Sequence, residues 1–164
     1  MRAAASRALI VLGALLVLGV VNVAILGKER IRRDGEVVYL PLAPVDPRSL
    51  VQGDYMALRF ALASDIERRD LDEPHPERDG QFAFANVSLD SRRVGTLAAD
   101  ASAPAMKLRY RIRGGRVWLG TNAFFFEEGT SERYRGARYG EFRVDRGSGE
   151  AVLVGLRNDA LGAL

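Results

Sequence analysis

The sequence predicts a mainly β fold, a small barrel or sandwich with one or two short helices, preceded by a single N-terminal transmembrane helix. Two observations lead to this prediction. Residues 8–27 form one apolar run in which Asn22 is the only clearly polar side chain. Beyond it, short alternating segments recur between turn residues, which favours antiparallel strands over alternating strands and helices. We therefore divide the 164-residue chain into an anchor (1–27), a charged juxtamembrane linker (28–35) and a β-rich domain (36–164).

The apolar run has the length of a membrane span. Twenty helical residues at ~1.5 Å each cover roughly 30 Å, the thickness of the hydrocarbon core of a bilayer. We expect residues 8–27 to contact the lipid bilayer. A cleaved signal peptide is the alternative, because Arg2 and Arg7 resemble its charged N-terminal region. The run exceeds the roughly 7–15 apolar residues of a signal peptide, and no small-x-small cleavage site follows it, which favours an uncleaved anchor.

The charges around the run give opposing indications of topology. Two arginines, Arg2 and Arg7, precede it. Four basic residues follow it within seven positions: Lys28, Arg30, Arg32 and Arg33. The count alone puts the C-terminal side in the cytoplasm, but long domains cross membranes largely regardless of charge. We predict a signal anchor followed by an exported domain.

The first half of the domain predicts two strands and a helix. Residues 36–42 include β-branched and aromatic residues and end near a proline, which predicts a first strand. A Gly53-Asp54 turn follows. Alternation from Tyr55 then predicts one long strand with an apolar face, formed by Met56, Leu58, Phe60 and Leu62. Ser64 and Glu67 have the spacing of a capping box, which predicts Ser64 as the N-cap of a short helix that ends at about residue 71.

The second half predicts hairpins. Gly114-Gly115 predicts a two-residue turn that sets Arg111 opposite Trp118 and Ile112 opposite Val117. In the run 124–126, alternation places Phe124 and Phe126 on the core face and Phe125 on the other. A short helix is predicted over about 132–138. The predicted strands are 82–89, 94–97, 107–113, 116–119, 139–145 and 150–155.

Composition excludes several kinds of chemistry. The chain has no cysteine and one histidine, His75, so disulfides, thiolate catalysis and multi-histidine metal sites are excluded. We predict no metal and no cofactor. The pI of 9.6 depends largely on basic residues that flank the apolar run, so it does not indicate nucleic-acid binding.

A cationic strand face runs along residues 107–113, where every second side chain is Lys or Arg. It suits an anionic partner such as a lipid headgroup. The alternative, which we favour, is a solvated face with Arg111 stacked on Trp118. Nearby acids are expected to balance it, drawn from Glu127, Glu128, Glu141 and Asp145.

Residues 53–60 read GDYMALRF and resemble the motif that names the GDYXXLXY family, with Phe60 in place of the final Tyr. Residues 125–129, 137–141 and 152–156 also resemble family segments. The resemblance implies a bacterial membrane-anchored protein with one small extramembrane domain, no established activity and multi-pass membrane proteins encoded beside it. It supplies no catalytic residue.

We therefore predict a non-enzymatic envelope protein of the bacterial inner membrane, single-pass, with its domain on the periplasmic side. The β-rich domain is expected to bind or scaffold a membrane protein partner of the multi-pass type. The candidate binding residues are Asp54, Tyr55, Glu128, Arg138 and Tyr139.

A membrane-anchored hydrolase is the alternative function. It would use an acidic, Tyr and Arg site formed by Asp54, Glu128, Arg138 and Tyr139. Ser49 and Lys107 also suggest a Ser–Lys dyad. This region distantly resembles membrane-anchored signal peptidases, but residues 45–47 read Val-Asp-Pro where those enzymes carry a Ser-Met pair, so the nucleophile is missing.

Overall fold

The computed structural model describes part of the chain, and the account below concerns that part. The described residues are 2–43, 51–52, 55–70, 78–99 and 105–164, with side chains over 9–43, 55–69, 78–99 and 105–164. The helices and strands in chain order are α1 (Arg2–Asp34), β1 (Glu36–Pro41), β2 (Val51–Gln52), β3 (Tyr55–Ala57), α2 (Ala61–Asp70), β4 (Phe82–Leu89), β5 (Gly95–Leu97), β6 (Met106–Arg113), β7 (Arg116–Trp118), β8 (Ala123–Phe125), a 3₁₀ helix (Ser131–Tyr134), β9 (Tyr139–Val144) and β10 (Ala151–Arg157). The fold is mainly β with one long N-terminal helix, as the sequence predicts.

Helix α1 is long and apolar enough to cross a membrane. Within its candidate span, Leu9–Asp34, an 18-residue window has a mean hydropathy of 2.9, and none of that window is buried by the rest of the protein. The helix does not stop at Gly27. It continues through the charged residues that we treated as a linker and ends where Gly35 N donates to Ile31 O at 2.8 Å.

Two groups of strands join into one curved sheet, half of a barrel. One group has the order β1-β9-β10 and the other β5-β4-β6-β7, with antiparallel pairing throughout. A parallel bridge between Tyr39 and Val94 joins the groups, and Tyr39 N donates to Arg93 O at 3.0 Å. The β6–β7 register sets Arg111 opposite Trp118 and Ile112 opposite Val117, as predicted.

The hydrophobic core lies in the concave side of this sheet and is covered by α2. Phe60 and Phe142 meet edge to face at its centre, with ring centroids 5.1 Å apart. Removing these side chains from water is the main favourable term in folding such a domain. The largest fully buried side chains are Phe60, Phe142, Leu40, Leu62, Ile66, Leu108, Ile112, Leu119, Val38, Val87 and Val144.

A second, smaller sheet has the order β2-β3-β8. On one face of β8 and the residue after it, Phe124 and Phe126 pack on Tyr134, with centroid distances of 5.1 and 5.2 Å. On the other face, Phe125 is exposed, which confirms the predicted alternation.

The long strand predicted from Tyr55 is wrong beyond Ala57. Strand β3 ends there, and α2 begins at Ala61. Burial of Leu62 and Ile66 explains the difference, because a spacing of four residues places both on one helix face. The apolar residue at 62 fits a strand pattern and a helix pattern equally well.

The predicted capping box is also wrong. Ser64 N donates to Phe60 O at 3.3 Å, so Ser64 lies inside the first turn of α2 rather than before it. Ser64 Oγ and Glu67 Oε2 instead accept hydrogen bonds from Arg59, at 3.2 and 2.9 Å. The later helix predicted over 132–138 is a single 3₁₀ turn, because Arg138 N already bonds to Arg157 O in the sheet.

Candidate docking surfaces

On the outward face of β4, β6 and β7, cationic side chains lie next to aromatic rings. The residues that lie opposite each other on neighbouring strands of this face are Phe84 and Arg109, Phe82 and Arg111, Arg111 and Trp118, and Arg113 and Arg116. The residues between them on β6 and β7 are buried in the core, which forces these side chains outward. We call this surface the arginine–aromatic face; its members are Phe82, Phe84, Lys107, Arg109, Arg111, Arg113, Arg116 and Trp118.

Cation–π contacts organise this face. The Phe82 ring lies between two guanidinium groups, with Arg109 Cζ at 4.8 Å and Arg111 Cζ at 5.2 Å from its centroid. Arg113 lies over Trp118 at 5.5 Å. The predicted stacking of Arg111 on Trp118 is therefore wrong. Strand β4, on the other side of β6, presents Phe82 to Arg111, and Arg111 Nε donates to Gly80 O at 3.1 Å.

Glu150 connects this face to the N-terminal helix. Its Oε1 pairs with the Lys28 ammonium of α1 and, at 3.0 Å, with Nη2 of Arg109. A cleft of about 260 Å³ lies at this point, and its lining includes four cations, one carboxylate and three aromatic residues. The acid that balances the face is thus Glu150, which is not among the acids that the sequence suggested.

The acids that we expected to balance the face have other roles where the structure records their contacts. Glu141 is buried and pairs with Arg157. Asp145 accepts from Ser148 N at 2.7 Å and closes the β9–β10 turn; this hydrogen bond is the main reason that its pKa lies below the usual range. Glu127 and Glu128 are exposed beyond β8.

A second charged cleft, of about 620 Å³, lies where α1 meets the domain. Glu36 is its central acid: Oε2 accepts from Arg146 Nε at 2.5 Å, and Oε1 lies 3.5 Å from Arg93 Nη1. The hydrogen bond from Arg146 lowers the pKa of Glu36. Arg143 Nη1 donates to Gly35 O at 3.3 Å. These contacts tie the end of α1 to β1 and β9.

An aromatic pair marks the other sheet. Tyr55 on β3 lies opposite Phe125 on β8, with ring centroids 5.9 Å apart. Phe125 is 74 % exposed, the highest value among the exposed large apolar residues of the described part, and Tyr55 is 37 % exposed. Exposed aromatic side chains of this kind are frequent anchors of protein interfaces. The pair is a candidate docking surface.

The predicted binding residues occupy several elements. Tyr55 is on β3 in the aromatic pair, and Glu128 is in the turn after β8. Arg138 immediately precedes β9, and Tyr139 is the first residue of β9, where it pairs with Pro41 and Arg157. Asp54 lies outside the described residues. None of the other four lines the clefts beside Glu150, Glu36 or Glu67.

The structure does not test the suggested Ser49–Lys107 dyad, because only one of its two residues is described. Lys107 is exposed on the arginine–aromatic face. Ser49, its suggested partner, lies outside the described residues, as does the single histidine, His75. Within those residues, no group of three or more His, Cys, Asp or Glu side chains has a metal-binding arrangement.

The most informative surface residues that sequence reasoning missed are Phe82, Phe84, Lys28 and Glu150. The first half of β4 is apolar on both faces, which hid the outward position of Phe82 and Phe84; the signal that could have shown it is that Asn86 and Ser88 share their face. Lys28 and Glu150 are 122 positions apart, and no local pattern indicates their contact.

The fold thus consists of one apolar helix, long enough to cross a membrane, joined to one small β domain. The chain belongs to the GDYXXLXY protein family, whose model matches residues 17–156. The match begins within the apolar helix and ends in β10. No curated protein and no solved structure matches the chain.

Proposed function

We propose that this protein is a non-enzymatic, single-pass protein of the bacterial inner membrane whose β domain binds or scaffolds a second membrane protein on the periplasmic side. The observation that carries the proposal is the exposure of α1. Its large apolar side chains from Leu9 to Leu26 are 47–71 % exposed. A water-soluble monomer rarely leaves so large an apolar surface uncovered, and a bilayer would cover it.

The one polar side chain of the apolar run is compatible with this environment. Asn22 Nδ2 donates to Leu18 O at 2.8 Å within the helix. A polar group in hydrocarbon is costly unless it is hydrogen-bonded, and this bond lowers the cost without help from another chain. The apolar run therefore does not require a polar partner helix.

The contacts at the helix end support a fixed position for the domain. Seven helical residues, 28–34, follow the apolar run and extend it by ~10 Å. Ile31 is buried, and Lys28 pairs with Glu150 of the domain. A domain held in this way can present one surface reproducibly to a neighbour in the membrane.

The aromatic pair Tyr55–Phe125 is the surface we propose for the partner protein. Strand β8 is at the edge of the sheet β2-β3-β8 in the described part, and edge strands accept added strands or peptides. Phe125 offers a large apolar side chain that is already ordered by the strand, so binding costs little additional conformational entropy.

Site-specific photocrosslinking in cells tests this proposal. A photoreactive phenylalanine analogue replaces Phe125 in the full chain, and the matched control carries it at Phe82, which is also exposed and aromatic. We expect a discrete adduct to a membrane protein from position 125 and none from position 82. The absence of any protein adduct from position 125, or the same adducts from both positions, would contradict the proposal.

A further inference from the structure

We propose that the arginine–aromatic face docks against anionic phospholipid headgroups of the same bilayer that α1 enters. This inference rests on the proposed membrane-spanning role of α1 and adds a second, peripheral contact with that bilayer. Three observations support the inference: the charge of the face, the exposure of its aromatic rings, and the position of the face beside the end of the apolar run.

The face has more positive charge than its own acids balance. The cleft lining contains Lys28, Arg109, Arg111 and Arg113 against Glu150 alone. Within the described residues, no ion pair is formed by Lys107, Arg111, Arg113 or Arg116. Arg113 and Arg116 even lie opposite each other across the β6–β7 hairpin, and an anion beside them would relieve their repulsion.

The rings of this face are exposed in a way that a bilayer interface would suit. Phe82 is 59 % and Phe84 56 % exposed, and both stand on the same face of β4. Trp118 is half-buried beside them. Aromatic side chains concentrate at the level of the headgroups, while guanidinium groups bind phosphate oxygens through paired hydrogen bonds. The face offers both kinds of contact side by side.

Lys28 places the face at the correct depth. It is the first residue after the apolar run 8–27, and its ammonium shares the Glu150 carboxylate with Arg109. The polar region on each side of a bilayer is roughly 5–8 Å thick. A side chain within reach of helix residue 28 therefore lies in that region when α1 spans the hydrocarbon core. Charge and depth together favour headgroups over a soluble polyanion.

Trp118 gives a direct probe, because it is the only tryptophan of the chain. The full chain is reconstituted into phosphatidylcholine vesicles with or without about 30 mol% phosphatidylglycerol, each with a headgroup-labelled fluorescence quencher. We expect Trp118 quenching to be stronger in the anionic vesicles and to weaken as salt is added, because salt screens exposed charges.

Two charge-reversal variants test whether the increase in quenching depends on the arginine–aromatic face or only on the net charge of the protein. Arg113→Glu with Arg116→Glu changes the face, whereas Arg133→Glu with Arg135→Glu makes the same charge change at the 3₁₀ helix and the residue after it. All four side chains are exposed, so folding should tolerate both pairs. We expect the first pair to abolish the anionic increment in quenching and the second to preserve it.

Flotation of the vesicles after alkaline extraction distinguishes the two proposals. If the chain stays inserted but quenching is equal in both vesicle types, or both variants lower it equally, docking of this face is disproved while the anchor stands. If the chain is extracted, the membrane-spanning role fails, and the proposed docking fails with it. Stronger quenching in anionic vesicles that only the first variant removes supports the proposal.

Discussion

Arg157 on β10 and Glu141 on β9 form an ion pair in which Arg157 Nε donates to Glu141 Oε2 at 2.6 Å. The Glu141 side chain is only 7 % exposed and that of Arg157 25 %. Arg143 Nη2 lies 3.9 Å from the other carboxylate oxygen. A buried carboxylate is tolerated here because two guanidinium groups face it, so removing one partner should be costly.

Replacing Arg157 tests how far the stability of the domain depends on the cationic partners of Glu141. We expect Arg157→Met to lower the free energy of unfolding by about 2–3 kcal/mol, since Arg143 compensates only part of the lost partner. Adding Glu141→Gln to Arg157→Met removes the buried charge and should restore part of the loss. Urea unfolding of the full chain in detergent micelles, followed by Trp118 fluorescence, measures both. A double variant less stable than Arg157→Met would contradict this explanation.

A pair of glycines tests the packing of the core. A Cβ on Gly140 would lie 2.7 Å from Phe60 Cε1, whereas a Cβ on Gly155 would meet nothing within 4 Å. We expect Gly140→Ala to destabilise the domain by about 1–3 kcal/mol through overpacking. Gly155→Ala should change stability by no more than about 0.5 kcal/mol. The same unfolding measurement applies, and equal effects at the two positions would disprove the assigned packing.

The Glu36–Arg146 contact predicts a pH dependence. Because the pKa of Glu36 is lowered from 4.5 in the fold, its stabilising effect is present above pH 4.5 and is lost as the pH falls through the lower folded value. Glu36→Gln should therefore lose less stability than the unmodified chain between about pH 5 and pH 3. Glu29→Gln, at an exposed helix position, is the control and should behave like the unmodified chain. Identical profiles of stability against pH for Glu36→Gln and the unmodified chain would rule out the Glu36–Arg146 contact as a source of the pH dependence.

The sequence predicted those features that depend on local patterns. The β6–β7 register followed from the Gly114-Gly115 turn, where both residues have positive φ values of 56° and 70°. The alternation from Tyr55 correctly gave the buried positions of Met56 and Phe60 and the exposure of Tyr55 itself. In both cases neighbouring residues alone determine which side chains face the core.

Features that depend on distant segments were not predictable in this way. The partner of Arg111 is Phe82, which comes from β4, and β5 separates β4 from β6 in the chain. Likewise, only the packing of the β9–β10 turn beside α1 brings Glu150 to Lys28. Single-sequence alternation identifies faces of strands, but it does not identify which strands become neighbours.

The central claim is that α1 crosses the inner membrane and holds the β domain on the periplasmic side. Because the chain has no cysteine, single cysteines report on each side without background. Ser91→Cys lies in an exposed turn of the domain, and Ala3→Cys precedes the apolar run. An impermeant maleimide is applied to intact cells and then to lysed cells. We predict that Ser91→Cys is labelled in intact cells and Ala3→Cys only after lysis. Three results would contradict the claim. The first is the reverse labelling pattern, the second is labelling of both cysteines in intact cells, and the third is a mature chain that lacks residue 3.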